Sequence, residues 1–298
     1  MHHASFNAMA MLKILQKLGE AIPMCVHLHG TELKAASELG EPARVALEQI
    51  LATASRSLYI STDNRDQLMR LVPNVDRDRL AYFPPWLNEK NFYPAPSDER
   101  SVDESSVVLI SRLSGWKRIE ALILAAEYFI SETGAHIDLV GEGPHRPQLE
   151  ELVAAKGMQS HITLRGFMAH HDLGDFLRNR ASIVVNTSLV EPFGMTIIEA
   201  MACGVPVIAT NCGGPADIVT PEVGQLIEDH PDVDVYAERL GKTILNALRK
   251  DWRTLKGPAC VAAATNFGIH SRRLEIESLL HATAKVTPQP PRGARAPR

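Results

Sequence analysis

A surplus of positive charge is what this sequence most plainly lacks. Its 31 Lys and Arg stand against 35 Asp and Glu, a formal net charge of −4. No sizeable basic patch appears before the last residues, so nothing argues for nucleic acid as a partner. Long apolar runs are missing too, and no stretch approaches the ~18 consecutive apolar residues of a membrane-spanning helix. The partly apolar run from Met9 to Leu18 is interrupted by Lys13, Gln16 and Lys17. No small-residue cleavage site follows it, so it does not read as a secretory signal. Cysteine is scarce: Cys25, Cys203, Cys212 and Cys260 form no CxxC pair and no zinc-ligand spacing. Each sits among apolar or small residues, which reads as buried free thiols in a reducing compartment. Together these absences favour a cytoplasmic protein, with peripheral membrane contact left open.

What is present is ordinary globular material: 298 residues, 45% hydrophobic and 22% charged, enough for two domains or one large one. Short apolar runs alternate with helical periodicity. In the first part, helices are expected at Ala8 to Leu18, Ala43 to Ala54 and Arg65 to Leu71. Strands are expected at Met24 to His29, Ser57 to Ser61 and Leu80 to Phe83. Pro84, Pro85, Pro94 and Pro96 then break the pattern, and a polar, acidic stretch from Ser97 to Ser106 reads as a linker.

Beyond it the alternation is cleaner. Strands are expected at Val107 to Arg112, Ile137 to Gly141, Ile162 to Phe167, Ile183 to Thr187, Val207 to Thr210 and Gly224 to Ile227. Helices fall at Ile119 to Ser131, Pro147 to Lys156, Leu173 to Arg178, Met195 to Ala202, Val233 to Lys250 and His270 to Ala282. Strands apolar throughout, each followed by a helix, imply a parallel sheet covered on both faces. This is a Rossmann-like, doubly wound α/β domain, whose ligands bind beyond the carboxyl ends of the strands. The tail from Thr287 to Arg298, rich in Pro, Arg and Ala, reads as disordered.

One segment concentrates chemistry. Glu191 follows the strand ending in Asn186-Thr187, and Glu199 lies one to two turns into the next helix. Pro192-Phe193-Gly194 makes a tight turn between them, and Met195-Thr196 opens the helix. Open N–H groups and the helix dipole attract anions or polar oxygens there. A carboxylate on each side of the turn can accept hydroxyl hydrogen bonds from a ribose or hexose. Gly194 lets backbone approach a ligand closely. Taken alone, two glutamates eight apart read as a solvated loop carboxylate and a helix-dipole partner. The combination of Glu-Pro-Phe-Gly with Glu-Ala-Met-Ala-Cys-Gly-Val-Pro-Val-Ile-Ala-Thr, over 191–210 at a strand–turn–helix–strand junction, is more specific.

This segment resembles the signature of glycosyltransferase family 4 (group 1), the retaining GT-B enzymes. Leu109 to Lys117 is similar to the family's first strand and loop of the second domain. Val140-Gly141-Glu142-Gly143-Pro144 resembles its Gly-rich turn, Arg165-Gly166-Phe167 its nucleobase turn, and Asn211-Cys212-Gly213-Gly214-Pro215 its Gly-Gly loop. The resemblance implies that Arg112 and Lys117 hold the diphosphate of a nucleoside diphosphate sugar, and that Glu199 binds the ribose. Glu191 would contact the donor sugar. The backbone of Phe193, Gly194 and Met195, with Thr196, would bind sugar or phosphate oxygens. Gly141, Arg165, Gly166 and Phe167 would line the donor site. The family's usual Lys-Gly reads Lys117-Arg118 here, and Arg118 either shares the phosphate role or is solvated.

In the first half, Val26 to Glu32 resembles the family's strand ending in a His near the donor sugar, which singles out His29 as a catalytic candidate. His2 and His3 match an acceptor-side His pair or a loose terminus. The implied fold is GT-B-like. It has a partial Rossmann-like domain over 1–93, a linker over 94–106 and a complete nucleotide-sugar domain over 107–267. A closing helix at 268–286 would pack back toward the first domain, before the tail at 287–298. The family's opening strand and Gly-rich loop are not found before Gly30, which points to a truncated first domain. The implied activity is retaining transfer of a sugar to an unknown hydroxyl acceptor, with no metal and no cofactor beyond the nucleotide sugar. The alternative is a non-catalytic protein that binds nucleotide sugar or a partner, and a GT-B epimerase fits the two glutamates less well.

Overall fold

The computed structural model describes residues 23–95 and 106–285. It divides into two compact units, Met1–Pro85 with Arg272–Arg298, and Trp86–Ser271. The expected helix from Ala8 to Leu18, His2 and His3, most of the linker and the tail from Thr287 lie outside the described residues. Among those described, no helix is long and apolar enough to cross a membrane.

The first unit contains a three-stranded parallel sheet of β1 (Cys25–His27), β2 (Arg56–Tyr59) and β3 (Leu80–Tyr82), in that order. Helices α1 (Thr31–Glu38), α2 (Glu41–Thr53) and α3 (Thr62–Leu71) accompany it. Val26, Leu28, Leu33, Leu47, Ile50 and Leu68 form its core. Helix α3 starts at Thr62, three residues before the Arg65 expected for it, where Ser61 Oγ accepts the Asn64 N–H at 3.1 Å as a side-chain N-cap. Helix α1 was not expected. It starts from Gly30 at φ 96° with no side-chain cap, so the polar signal that usually marks a helix start is absent.

The second unit holds six parallel strands: β4 (Ser106–Ile110), β5 (His136–Val140), β6 (Ile162–Gly166), β7 (Ala181–Asn186), β8 (Val207–Thr210) and β9 (Gly224–Ile227). Their spatial order is β6-β5-β4-β7-β8-β9. Counted from the first strand of the unit this is 3-2-1-4-5-6, the doubly wound order, and it reverses between β4 and β7. The residues of β7 are buried throughout, as a strand covered on both faces requires.

Helices α4 (Glu120–Ala125), α5 (Ile130–Thr133), α6 (Arg146–Ala155), α7 (His170–Arg180), α8 (Met195–Ala202), α9 (Pro215–Ile218), α10 (Val233–Arg249) and α11 (Trp252–Ala264) follow the strands. A last helix, α12 (Ile269–Ala284), begins in this unit and runs past Arg272. On one side of the sheet Val107, Leu109, Ile137 and Leu139 pack with Leu122, Tyr236 and Leu240.

The continuous helix expected from Ile119 to Ser131 is broken into α4, a 3₁₀ turn at Ala126–Tyr128 and α5. The break coincides with a close crossing by α10, where a Cβ on Gly241 would lie 2.7 Å from both the Ala125 carbonyl oxygen and Tyr128 Cβ. Of the four cysteines, expected to be buried, Cys203 and Cys260 are buried while Cys25 and Cys212 are half-buried.

Candidate functional site

The crevice between β4 and β7 is where a doubly wound sheet binds ligands, and the loops leaving these two strands meet there. Leu189 N–H donates to the Trp116 carbonyl at 2.9 Å, and Thr187 Oγ1 donates to the Lys117 carbonyl at 2.7 Å. Across this junction Lys117 Nζ pairs with Glu191 Oε2 at 2.6 Å, although the two residues are 74 apart in sequence. Both side chains are mostly buried, at 11% and 15% exposure. The Lys117 ammonium also sits 4.2 Å from the centre of the Trp116 ring. An ammonium and a carboxylate held this way present charges of both signs at the mouth of the crevice, one suited to phosphate and the other to hydroxyls.

Helix α8 opens beside this pair. Gly194 precedes it at φ 107°, a conformation easiest for glycine. Among the described residues, the N–H groups of Phe193, Gly194, Met195 and Thr196 have no acceptor. They form an open donor cluster at the positive end of the helix. The Phe193 ring itself turns inward, buried and 5.8 Å from the ring of Phe267. The Gly-Gly loop packs directly on this turn. Gly214 N–H donates to the Glu191 carbonyl at 2.8 Å, and a Cβ on Gly214 would fall 2.2 Å from the Phe193 carbonyl oxygen. The backbones touch, so no side chain fits there.

Glu199 lies in the second turn of α8 at 4% exposure. No donor reaches its carboxylate among the described residues. Burial pushes its pKa up from 4.5 to about 7, because an unpaired carboxylate is poorly solvated there. Cys212, beside Glu191, is held protonated by burial, with its pKa raised to about 11.

The ends of β4, β5 and β6 come together on the other side of the crevice. Arg112, just past β4, is exposed and has no side-chain partner among the described residues. Gly141, at φ 135°, donates its N–H to the Gly166 carbonyl at 2.8 Å. A Cβ on Gly141 would lie 1.9 Å from the Ser111 carbonyl oxygen. Phe167 is 80% exposed. The Arg165 side chain is engaged elsewhere: its Nε donates at 2.7 Å to Asp138, a fully buried carboxylate that also accepts from Ser106 Oγ at 2.6 Å. Arg165 therefore contributes backbone and a sheet-bound guanidinium at this turn.

Arg118 is neither a free phosphate ligand nor solvated, the two expectations for it. Its side chain is buried, pairs with Asp229 at 2.6 Å and lies 3.8 Å from the centre of the Tyr236 ring. His29 belongs to the first unit, just past β1. Its N–H donates to Glu32 Oε2 at 3.1 Å, and its ring is 4.2 Å from that of His27. The Lys117–Glu191 pair, Thr187 and the Arg118 anchor are parts of the arrangement that the sequence did not reveal. Cavities of about 380 and 360 Å³ lie elsewhere in the second unit, one beside Thr220 and Trp252, the other beside Cys203 and Arg253. Among the described residues no cluster of His, Cys, Asp or Glu is arranged to hold a metal ion.

The second unit is thus a doubly wound nucleotide-binding type of domain, with mixed charge and an open helix start at its switch point. Residues 96–254 match the family model for glycosyl transferases group 1, and the chain belongs to that family. It is 28% identical over 203 residues to a probable sucrose-phosphate synthase of Thermosipho melanesiensis, covering 63% of this chain and 47% of the relative. It is likewise 28% identical over 252 residues to the D-inositol 3-phosphate glycosyltransferase of Xylanimonas cellulosilytica, covering 78% and 59%. The chain spans about half the length of these curated relatives. Among solved structures it resembles a sucrose-phosphate synthase from Thermosynechococcus elongatus, with TM-score 0.78 and 25% identity, over 94% of this chain and 72% of that one. Anabaena HepE, solved in complex with UDP and glucose, has the same fold, with TM-score 0.77 at 20% identity over 94% and 77%. These are GT-B glycosyltransferase folds.

Proposed function

We propose that this chain carries the donor site of a retaining glycosyltransferase of family 4, which transfers a sugar from a nucleoside diphosphate sugar to a hydroxyl acceptor. The observation that carries the reading is Glu199, a buried carboxylate with no donor among the described residues, set behind a helix start whose first N–H groups are open there too. A group so placed lacks hydrogen-bond donors, and ribose hydroxyls supply them. The UDP and glucose bound by Anabaena HepE, which shares the fold, support a nucleotide sugar as the ligand.

In this reading the departing diphosphate develops negative charge between Arg112, Lys117 and the N–H groups at Gly194 and Met195. One such preorganised donor contributes roughly 2.7–4 kcal/mol to the transition state. These groups supply the neutralisation, so the reading needs no metal. Glu191 serves the donor sugar, and binding exchanges part of its contact with Lys117 for sugar hydroxyls. Among the described residues no side chain in the crevice is placed as a nucleophile, and the leaving phosphate oxygen acts as the base on the same face, consistent with retention. His29 is the candidate from the first unit for the sugar.

The test is calorimetric titration with UDP-, GDP- and ADP-glucose. Wild type is expected to bind at least one of them, and Glu199→Ala to lose about tenfold or more of that affinity, the scale of one lost charge-assisted hydrogen bond. Unchanged binding by Glu199→Ala sinks the site. Binding without turnover across a range of hydroxyl acceptors would leave the non-catalytic alternative in its place.

A further inference from the structure

Arg118 stands at a backbone position that resists it. Its φ and ψ are both 46°, in the left-handed region, which disfavours a residue with a Cβ by roughly 1–2 kcal/mol. The 3₁₀ turn that places it is short, Gly115–Lys117. Something outside the turn must therefore hold it. The guanidinium does so: it is 5% exposed, stacks at 3.8 Å on Tyr236 of α10, and donates from Nη1 to Asp229 Oδ1 at 2.6 Å and to the His230 carbonyl at 3.3 Å. Tyr236 is itself fixed, its hydroxyl 2.7 Å from Thr210 Oγ1 at the end of β8. Lys117, the preceding residue, meets a different partner, Glu191.

We propose that Arg118 is a positioning residue for Lys117. Its side chain bolts the turn after β4 to α10 and to the residues past β9, and the left-handed backbone it maintains sends Lys117 into the crevice to meet Glu191. Stacking and ion pairing do by attachment what a glycine would do by conformational freedom. The functional weight of this device rests on the reading of Lys117 and Glu191 as donor ligands, but the device itself does not.

Two measurements on the full chain separate these levels. The first needs no ligand: pulsed acetylation with acetic anhydride, read residue by residue by mass spectrometry. Lys117 is expected to label at least several-fold faster in Arg118→Ala, which keeps the Cβ strain and loses the anchor, than in wild type, while the buried thiols of Cys203 and Cys260 stay closed to N-ethylmaleimide. Unchanged Lys117 labelling overturns the proposal, and so does opening of the thiols together with Lys117, which would make Arg118 a general stabiliser. Arg118→Lys, which keeps the charge and loses the planar stack, gives the same reading if the alanine variant does not fold.

The second is titration with whichever of UDP-, GDP- or ADP-glucose the wild type binds. Arg118→Ala is expected to weaken binding about tenfold, and to have no further effect in a Lys117→Met background, since the two act as one unit. Additive losses overturn the positioning role. If wild type binds none of the three, the donor-site reading fails while the labelling experiment still decides the role of Arg118.

Discussion

Glu199 is the residue whose environment is furthest from what a glutamate prefers, and its protonation is readable. Burial favours the neutral carboxyl, so the folded chain keeps that proton up to about pH 7, whereas an ordinary glutamate releases it near 4.5. Folding therefore takes up a proton in this window, and the unliganded chain loses stability as the pH rises from about 4.5 through 7. Glu199→Gln removes that dependence. The variant is expected to be more stable than wild type at pH 8, by on the order of 3 kcal/mol at most. The gain should vanish below pH 4.5, as urea unfolding at the two pH values would show; an equal gain at both is the contrary result. Ligand hydroxyls reverse the preference, because they donate to the ionised form. Nucleotide-sugar affinity is expected to rise with pH through 7 in wild type and to stay flat in Glu199→Gln, and a flat wild-type profile would separate Glu199 from the ligand.

At the scale of elements, α11 illustrates what a chain can hide. Pro258 sits inside it, and a proline in a helical pattern normally signals an end, so this helix was missed between α10 and α12. Its place is fixed instead by tertiary contacts. Arg253, 5% exposed, donates from Nη2 to the carbonyl of Cys203 at 2.8 Å and of Arg178 at 3.4 Å. One cation thus serves the carbonyl ends of α7 and α8 together, where the helix dipoles favour positive charge. Arg253→Met removes both donations and is expected to destabilise the chain by about 2–3 kcal/mol, measured as a lower urea midpoint with unchanged slope; an unshifted midpoint would assign the packing to the apolar part of α11. Strands β4, β5, β7 and β8 were legible because each is a short, largely apolar run buried on both faces, the partly buried edge strands β6 and β9 because they continue the same alternation with helices, and α8 because Gly194 and the Gly-Val-Pro at 204–206 bracket it. Helix α1 was not, having no side-chain cap at Gly30, nor was the interruption after α4, which is visible only once Gly241 of α10 is seen pressed against it.

For the molecule as a whole, the strand order decides which motifs meet, and periodicity does not state it. The sequence placed Arg112 and Lys117 after one strand and Glu191 after another. The 3-2-1-4-5-6 order makes those strands neighbours and turns two separate motifs into one crevice. The contact between Lys117 and Glu191, and the exchange of a glycine for an anchored Arg118, depend on that adjacency and carry no local signal. The same order makes a spatial prediction. If a nucleotide sugar binds at the reversal point, hydrogen exchange in the full chain should slow at 111–118 and at 186–199, spans that include the open N–H groups of Phe193 to Thr196. Exchange at 44–53 and 62–71, helices of the first unit, should be unchanged. Slowing at 27–31 in addition would bring His29 to the sugar. Ligand-dependent protection absent from 186–199 would place binding away from the switch point, because open N–H groups at the start of α8 cannot engage an anion without being shielded from exchange.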